Sequence, residues 1–114
     1  MQPAERDAAY LWDMLQACRD IRGFTQGVRW VDFKADRKLC LAVERVLEVM
    51  GEAARRVSDQ FQTDHPQIAW HQLRGMRNIL AHEYGQIDHE IIYKTVTDEI
   101  PKLTAALEAL LPKE

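Results

Sequence analysis

The sequence predicts an all-α protein, an up-and-down bundle of four to five helices forming one domain over residues 1–114. Three observations carry that expectation. Apolar residues recur three or four apart, the spacing that lines one face of a helix. No stretch alternates apolar and polar residues as a half-buried strand would. Glycine and proline are sparse and single, five and four in the whole chain, so they separate a few long segments rather than many short ones.

Taken in order, residues 5 to 22 place Leu11, Met14, Leu15, Cys18 and Ile21 on one stripe. Gly23 is the expected stop, and the chain through Gly27 reads as a loop. A longer helix is expected from about residue 32 to residue 61. Its stripe is Leu39, Val43, Val46, Met50, Ala53 and Val57, the pattern of one helix lying along another. Gly51 weakens that helix by roughly 1 kcal/mol relative to alanine, which suits a place of close packing. Asp64-His65-Pro66 marks a turn, because proline pushes the preceding residue out of the helical region. The third helix carries Ile68, Leu73, Met76 and Leu80 and ends near Gly85. Asp88 can cap a fourth, which carries Ile92, Val96, Ile100, Leu103, Leu107 and Leu110. Pro101 falls inside that last pattern, so a kink or break is expected near residues 97 to 101.

Composition narrows the function classes. No apolar run is long enough to cross a bilayer, and the N-terminus shows no basic-then-apolar secretory pattern. Cys18 and Cys40 sit among apolar neighbours outside any CxxC pair, and read as reduced core thiols of a cytoplasmic protein. A formal charge of −3 argues against coating nucleic acid with the whole surface, yet leaves room for a local basic site.

Such a site has a place. The eighteen residues from His65 to His82 contain no Asp or Glu, but hold Arg74, Arg77, His65, His71 and His82. Arg74 is the expected substrate contact there. Asn78 and His82 are four apart and share a helix face, while Arg77 and Tyr84, seven apart, form the neighbouring stripe. Each residue also has a plainer reading. Arg77 serves equally as a solvated charge, His82 as a cation favoured at a helix C-terminus, and Tyr84 as an aromatic on the core's rim.

Other constellations are weaker. The histidines lack HExxH spacing and no cysteine lies near them, so no metal site is expected. There is no glycine-rich phosphate loop. Ser58 is the single serine and falls in a charged, helical-looking segment, a poor nucleophile. Glu52, in Gly51-Glu52-Ala53-Ala54, reads as a partly buried hydrogen-bonding residue before it reads as a base. Trp12, Trp30 and Trp70 read as core or interface anchors.

The segment Arg77-Asn78-Ile79-Leu80-Ala81-His82-Glu83-Tyr84 resembles the R-x-x-x-x-H-x-Y signature of the HepT-like toxins, members of the HEPN ribonuclease superfamily. The likeness extends in order over Gly51-Glu52-Ala53-Ala54, His65-Pro66 before Trp70, Gly75-Met76-Arg77-Asn78 and Ile87-Asp88, covering roughly residues 10 to 111. After Tyr84 the chain reads Gly85-Gln86, where the family more often has an aromatic. The resemblance implies a helical homodimer with the arginine and histidine of both subunits facing a shared cleft. It implies a metal-independent ribonuclease that needs no cofactor. It also implies the toxin half of a type VII toxin–antitoxin pair, with an MNT-type minimal nucleotidyltransferase as the antitoxin. By that likeness Arg77 and His82 are the catalytic pair, Asn78 and Glu52 support them, and Tyr84 accepts AMP from the antitoxin.

The residue types suit the implied reaction. RNA supplies its own nucleophile, the 2′-OH, so the enzyme needs an acid, a base and a cation. A histidine titrating near neutrality serves as acid or base, and an arginine grips two phosphate oxygens as negative charge builds. Two further readings stand beside this one. The first is a non-catalytic helical subunit that binds a nucleotide or partners a nucleotidyltransferase. The second, a DNA-binding helical regulator, is disfavoured by the net charge and the lack of a basic helix face.

Overall fold

The computed structural model describes residues 5–82 and 89–112, with the backbone alone at 77–82. Among these residues the chain is all helical: α1 Glu5–Thr25, α2 Trp30–Ala35, α3 Arg37–Arg56, α4 Asp59–Asp64, α5 Trp70–His82, α6 His89–Lys94 and α7 Ile100–Leu110. A five-residue π-helical stretch, Thr95–Glu99, joins α6 to α7. No described helix is long and apolar enough to cross a membrane.

α1 buries the stripe its periodicity predicts, Leu11, Met14, Leu15, Cys18 and Ile21. It does not stop at Gly23. It runs on to Thr25, whose hydroxyl donates to the Ile21 carbonyl at 2.7 Å. The turn is made at Gly27, with a φ of 75° that few other residues tolerate.

The long helix expected over 32–61 is three helices, and each break has a local cause. At Asp36 the backbone is extended and the carboxylate accepts from the Leu39 amide at 3.0 Å, which caps α3. At Val57 the chain extends again, and the Ser58 hydroxyl caps α4 by accepting from the Phe61 amide at 3.2 Å. Ser58 is therefore a capping residue rather than one inside a helix. Its own amide and hydroxyl donate to the buried carboxylate of Asp7, at 2.8 and 2.6 Å, tying the start of α1 to this junction. Periodicity misses both breaks because buried apolar residues keep helical spacing across them, Phe33 to Cys40 at the first and Val57 to Phe61 at the second. Gly51 is buried within an unbroken α3.

Near Pro101 the expected irregularity is present. Proline lacks an N–H, and the turn before it widens until the Ile100 amide donates to the Thr95 carbonyl, five residues back. Ile68, expected on the third helix, lies just ahead of α5 and is buried all the same. The expected helix end at Gly85 and cap at Asp88 lie outside the described residues.

α3 is the centre of the bundle, packed against α1 on one side and α5 on the other, with α7 on α1 and α2 between α3 and α6. The molecule measures 44 × 29 × 19 Å, so along its shortest axis it is about two helix diameters thick. Both cysteines are buried free thiols, as the sequence indicated. Cys18 donates to the Met50 sulfur at 3.7 Å and Cys40 to the Phe33 carbonyl at 3.1 Å. Trp70 is buried, and Trp12 and Trp30 pack against the core from its edge.

Candidate active site

The helix that carries the motif is continuous from Trp70 to His82, so sequence spacing there becomes geometry. Positions 74, 78 and 82 stand one turn apart on a single stripe, and position 77 lies beside it. The side chains of Arg77, Asn78 and His82, and all of Tyr84, lie outside the described residues. What the described residues do show is how the helix is held.

At its start α5 is anchored through a chain of hydrogen bonds. The His65 ring lies on the Phe61 ring, with centroids 4.0 Å apart and planes at 20°, and its Nδ1 is 2.9 Å from the Phe61 carbonyl. Trp70 Nε1 donates to the His65 carbonyl at 2.9 Å, which sets the first turn of α5 against the His65-Pro66 bend. Gln62, nine-tenths buried, donates its amide hydrogens to the carbonyls of Ala54 and Val57 at the end of α3, at 3.2 and 2.8 Å. Its remaining oxygen accepts from Arg74 Nη1. Arg74 is thus half-buried and oriented by a neutral amide that also satisfies orphan carbonyls of α3.

Past the motif, α6 is anchored to the same central helix. His89 Nε2 is 3.7 Å from Glu44 Oε2 of α3, and Tyr93 donates its hydroxyl to the Val28 carbonyl at 2.7 Å. Trp30, Phe33 and Tyr93 pack ring against ring beneath this contact, with centroids 5.3 to 6.5 Å apart. The segment between α5 and α6 is therefore bracketed by two ties to α3, Gln62–Arg74 on one side and Glu44–His89 on the other. Neither tie was visible in the sequence. Gln62 follows a break that periodicity hides, and Glu44 and His89 are far apart along the chain.

Glu52 is half-buried on α3. Its Oε1 accepts from Arg55 at 3.2 Å and Arg56 at 3.0 Å, i+3 and i+4 contacts on one helix. Hydrogen bonds from Arg56 to Glu52 and to Tyr10 raise the arginine's pKa further above its usual value. These groups line a hollow of about 420 Å³ between α1 and α3, together with Asp13, Arg45 and Val49. Arg74 lines a different one, about 630 Å³, between α4 and the start of α5. Glu52 and Arg74, both expected at the site, thus open onto separate hollows on the two sides of the α3 C-terminus. Among the described residues no three His, Cys, Asp or Glu side chains gather closely enough to hold a metal ion.

Among the described residues the fold is a helical bundle of the all-α class, and its fifth helix carries arginine, asparagine and histidine at i, i+1 and i+5. The comparisons make the class specific. The family described as ribonuclease HepT-like matches residues 14–110. A protein of Thermococcus cleftensis named "Probable ribonuclease HepT" is 38% identical over 101 residues, 89% of this chain and 92% of the relative. A protein of Methanocaldococcus jannaschii, named provisionally as an RNase, is 34% identical over 92% of this chain and 97% of its own length. Another so named, from Caldanaerobacter subterraneus, is 35% identical over 92% and 94%. No solved structure matches. The chain belongs to the HepT-like ribonuclease family.

Proposed function

We propose that this protein is a metal-independent ribonuclease acting as a homodimer, the toxin of a pair whose antitoxin is a minimal nucleotidyltransferase. The observation that carries the reading is the unbroken course of α5 through positions 77, 78 and 82, in a chain matched to a ribonuclease family over nearly its whole length. Arg77 holds the scissile phosphate with two N–H donors, and Asn78 adds a polar contact one position on. His82 removes the proton from the 2′-OH in one subunit, and its counterpart in the second subunit protonates the leaving 5′-oxygen. The bond formed joins O2′ to phosphorus and the bond broken is that to O5′, leaving a 2′,3′-cyclic phosphate. A single chain offers one such histidine, which is the reason for a dimer. The exposed apolar residues Leu41 and Val49 on α3, the helix against which α5 packs, are consistent with a partner surface there.

Purified protein should cleave single-stranded RNA in excess EDTA, give cyclic-phosphate ends, and sediment as twice 13.2 kDa. Activity lost to EDTA and restored by a divalent ion defeats the metal-independent reading. A clean monomer that cleaves RNA defeats the shared cleft. A dimer that binds the nucleotidyltransferase but never cleaves RNA favours the interaction subunit instead.

In the same reading Tyr84 is the AMP acceptor. Its modification places an anionic nucleotide beside Arg77, which blocks RNA by charge and volume together. Tyr84→Phe keeps the ring without the acceptor oxygen, and should stay toxic when the nucleotidyltransferase is co-expressed. Intact mass spectrometry after incubation with the antitoxin and ATP checks this. Neutralisation with no change in mass overturns it.

A further inference from the structure

The hollow between α4 and the start of α5 is shallow and open to solvent, and its chemistry suits a nucleotide lying across the surface. At about 630 Å³ it is large enough for one nucleotide. Its lining is mostly uncharged but hydrogen-bonding, with Gln62, Gln67 and Gln72 among its residues, and it includes the guanidinium of Arg74 and the imidazole of His71 beside one carboxylate, Asp59. Arg74 is the informative member. The residue as a whole is half-buried, yet its one hydrogen-bond partner among the described residues is the oxygen of Gln62, a neutral group. A partly desolvated cation normally faces a carboxylate, and a planar fork with unused N–H donors is built for a phosphate. Gln62 cannot turn away, because both its amide hydrogens are committed to carbonyls of α3. The guanidinium is therefore held in place before any ligand arrives.

The hollow's position relative to the motif decides the ligand. Arg74 stands two turns ahead of His82 on one stripe of α5, ~12 Å along the axis at 1.5 Å per residue. Phosphates on a strand are spaced at least ~3.4 Å apart along its axis. A strand whose scissile phosphate lies at the motif reaches this hollow a few nucleotides away. We propose that the hollow holds a flanking nucleotide of single-stranded RNA, with Arg74 on its phosphate, so that the enzyme grips its substrate beyond the cleaved bond. This rests on the ribonuclease reading above and adds to it a site that the motif does not include.

The test compares RNAs of two lengths, a dinucleotide and an oligonucleotide of about ten, bound to protein carrying His82→Ala so that neither is consumed. Arg74→Met keeps the stem and removes the charge. It should weaken the longer RNA on the order of tenfold, and more than it weakens the dinucleotide. The slope of log affinity against log salt for the longer RNA should fall by about 0.7, the signature of one lost phosphate contact on a single strand. Arg74→Lys, which retains a donor for Gln62, should recover part of the affinity and guards against a folding defect, which thermal melting reads directly. An equal loss at both lengths with an unchanged salt slope shows Arg74 to be only a brace for Gln62, and overturns the proposal. Cleavage of the same RNA by the unmodified protein separates the two levels. If it neither binds nor cleaves RNA, the ribonuclease reading falls; if it cleaves while Arg74 variants show no length dependence, the second site alone falls.

Discussion

The α1–α3 layer and the motif helix α5 are built on different terms. Leu11, Met14, Cys18 and Ile21 of α1 and Val43 of α3 expose none of their surface. On α5, by contrast, Trp70 is buried, but Leu73 and Met76 on its inward stripe are only partly covered. They face an apolar groove of about 360 Å³ that runs between α3, α5 and α7. α5 packs on α3 as extensively as α1 does, and hydrogen bonds from Trp70 and Arg74 fix its start, but its inward side chains are less completely buried than those of α1. The fully buried side chains are concentrated in the α1–α3 layer, and the positions proposed as reactive lie on α5. In the proposed function, a motif helix at the edge, with His71 and Gln72 exposed at its start, leaves room for a long substrate and a partner.

The largest expected effect breaks that comparison most directly. Arg77→Ala and His82→Ala should each lower RNA cleavage by at least about 10²-fold, the low end for loss of a general acid–base or a transition-state cation. Their melting temperatures should stay within a few degrees of the parent. Leu11→Ala, in the other layer, should cost about 2–5 kcal/mol and lower Tm by roughly 10 °C or more. Calorimetry and a cleavage assay on the three proteins suffice. If His82→Ala melts as early as Leu11→Ala, the two layers are not separate in the way described.

A smaller effect sharpens the boundary between them. The Asp7 carboxylate takes two hydrogen bonds from Ser58, the residue at which α3 gives way to the α4 segment leading to α5. Asp7→Ala removes a buried carboxylate and both its hydrogen bonds to the exposed Ser58, for a loss of about 1–3 kcal/mol in urea unfolding. Because the tie lies on the path from the stable layer to α5, amide exchange in α4 should quicken more than in α1. Uniform acceleration would mean that Asp7 supports only global stability.

How much of this was legible beforehand follows from what periodicity can carry. The α1 stripe, the turn at His65-Pro66 and the irregularity before Pro101 all come from local rules, and the structure has them. The division of the long helix into α2, α3 and α4 was hidden because Phe33 and Cys40 on one side, and Val57 and Phe61 on the other, keep helical spacing while Asp36 and Ser58 cap new starts between them. The motif was readable as a spacing, and what the structure adds is a helical backbone that runs unbroken through positions 77, 78 and 82. The motif's supports were not readable. Gln62 meets Arg74 across a bend, and Glu44 meets His89 across 45 positions of sequence, pairings that only tertiary packing creates.

The smallest effect probes how dry the α1–α3 layer is. Cys18 sits between α1 and α3 with its thiol on the Met50 sulfur, and burial pushes its pKa up to about 11, against a slight opposing pull from the Thr104 hydroxyl. In the unfolded chain the thiol ionises near 9.0, so below that pH both states hold the proton and the contribution to stability is complete. Between pH 9 and about 11 the unfolded state releases a proton that the folded state keeps, and stability falls as pH rises. Above that range the difference is constant. Urea midpoints measured at pH 8, 9, 10 and 11 should therefore decline more steeply for the parent protein than for Cys18→Ala, in which this titration is absent. Groups common to both proteins cancel in the comparison. At pH 8 the folded protein should also resist alkylation at Cys18 until denaturant is added. Identical pH slopes in the two proteins, or rapid alkylation of Cys18 in the native state, would show that water reaches the α1–α3 interface and that the contrast with α5 is weaker than the burial implies.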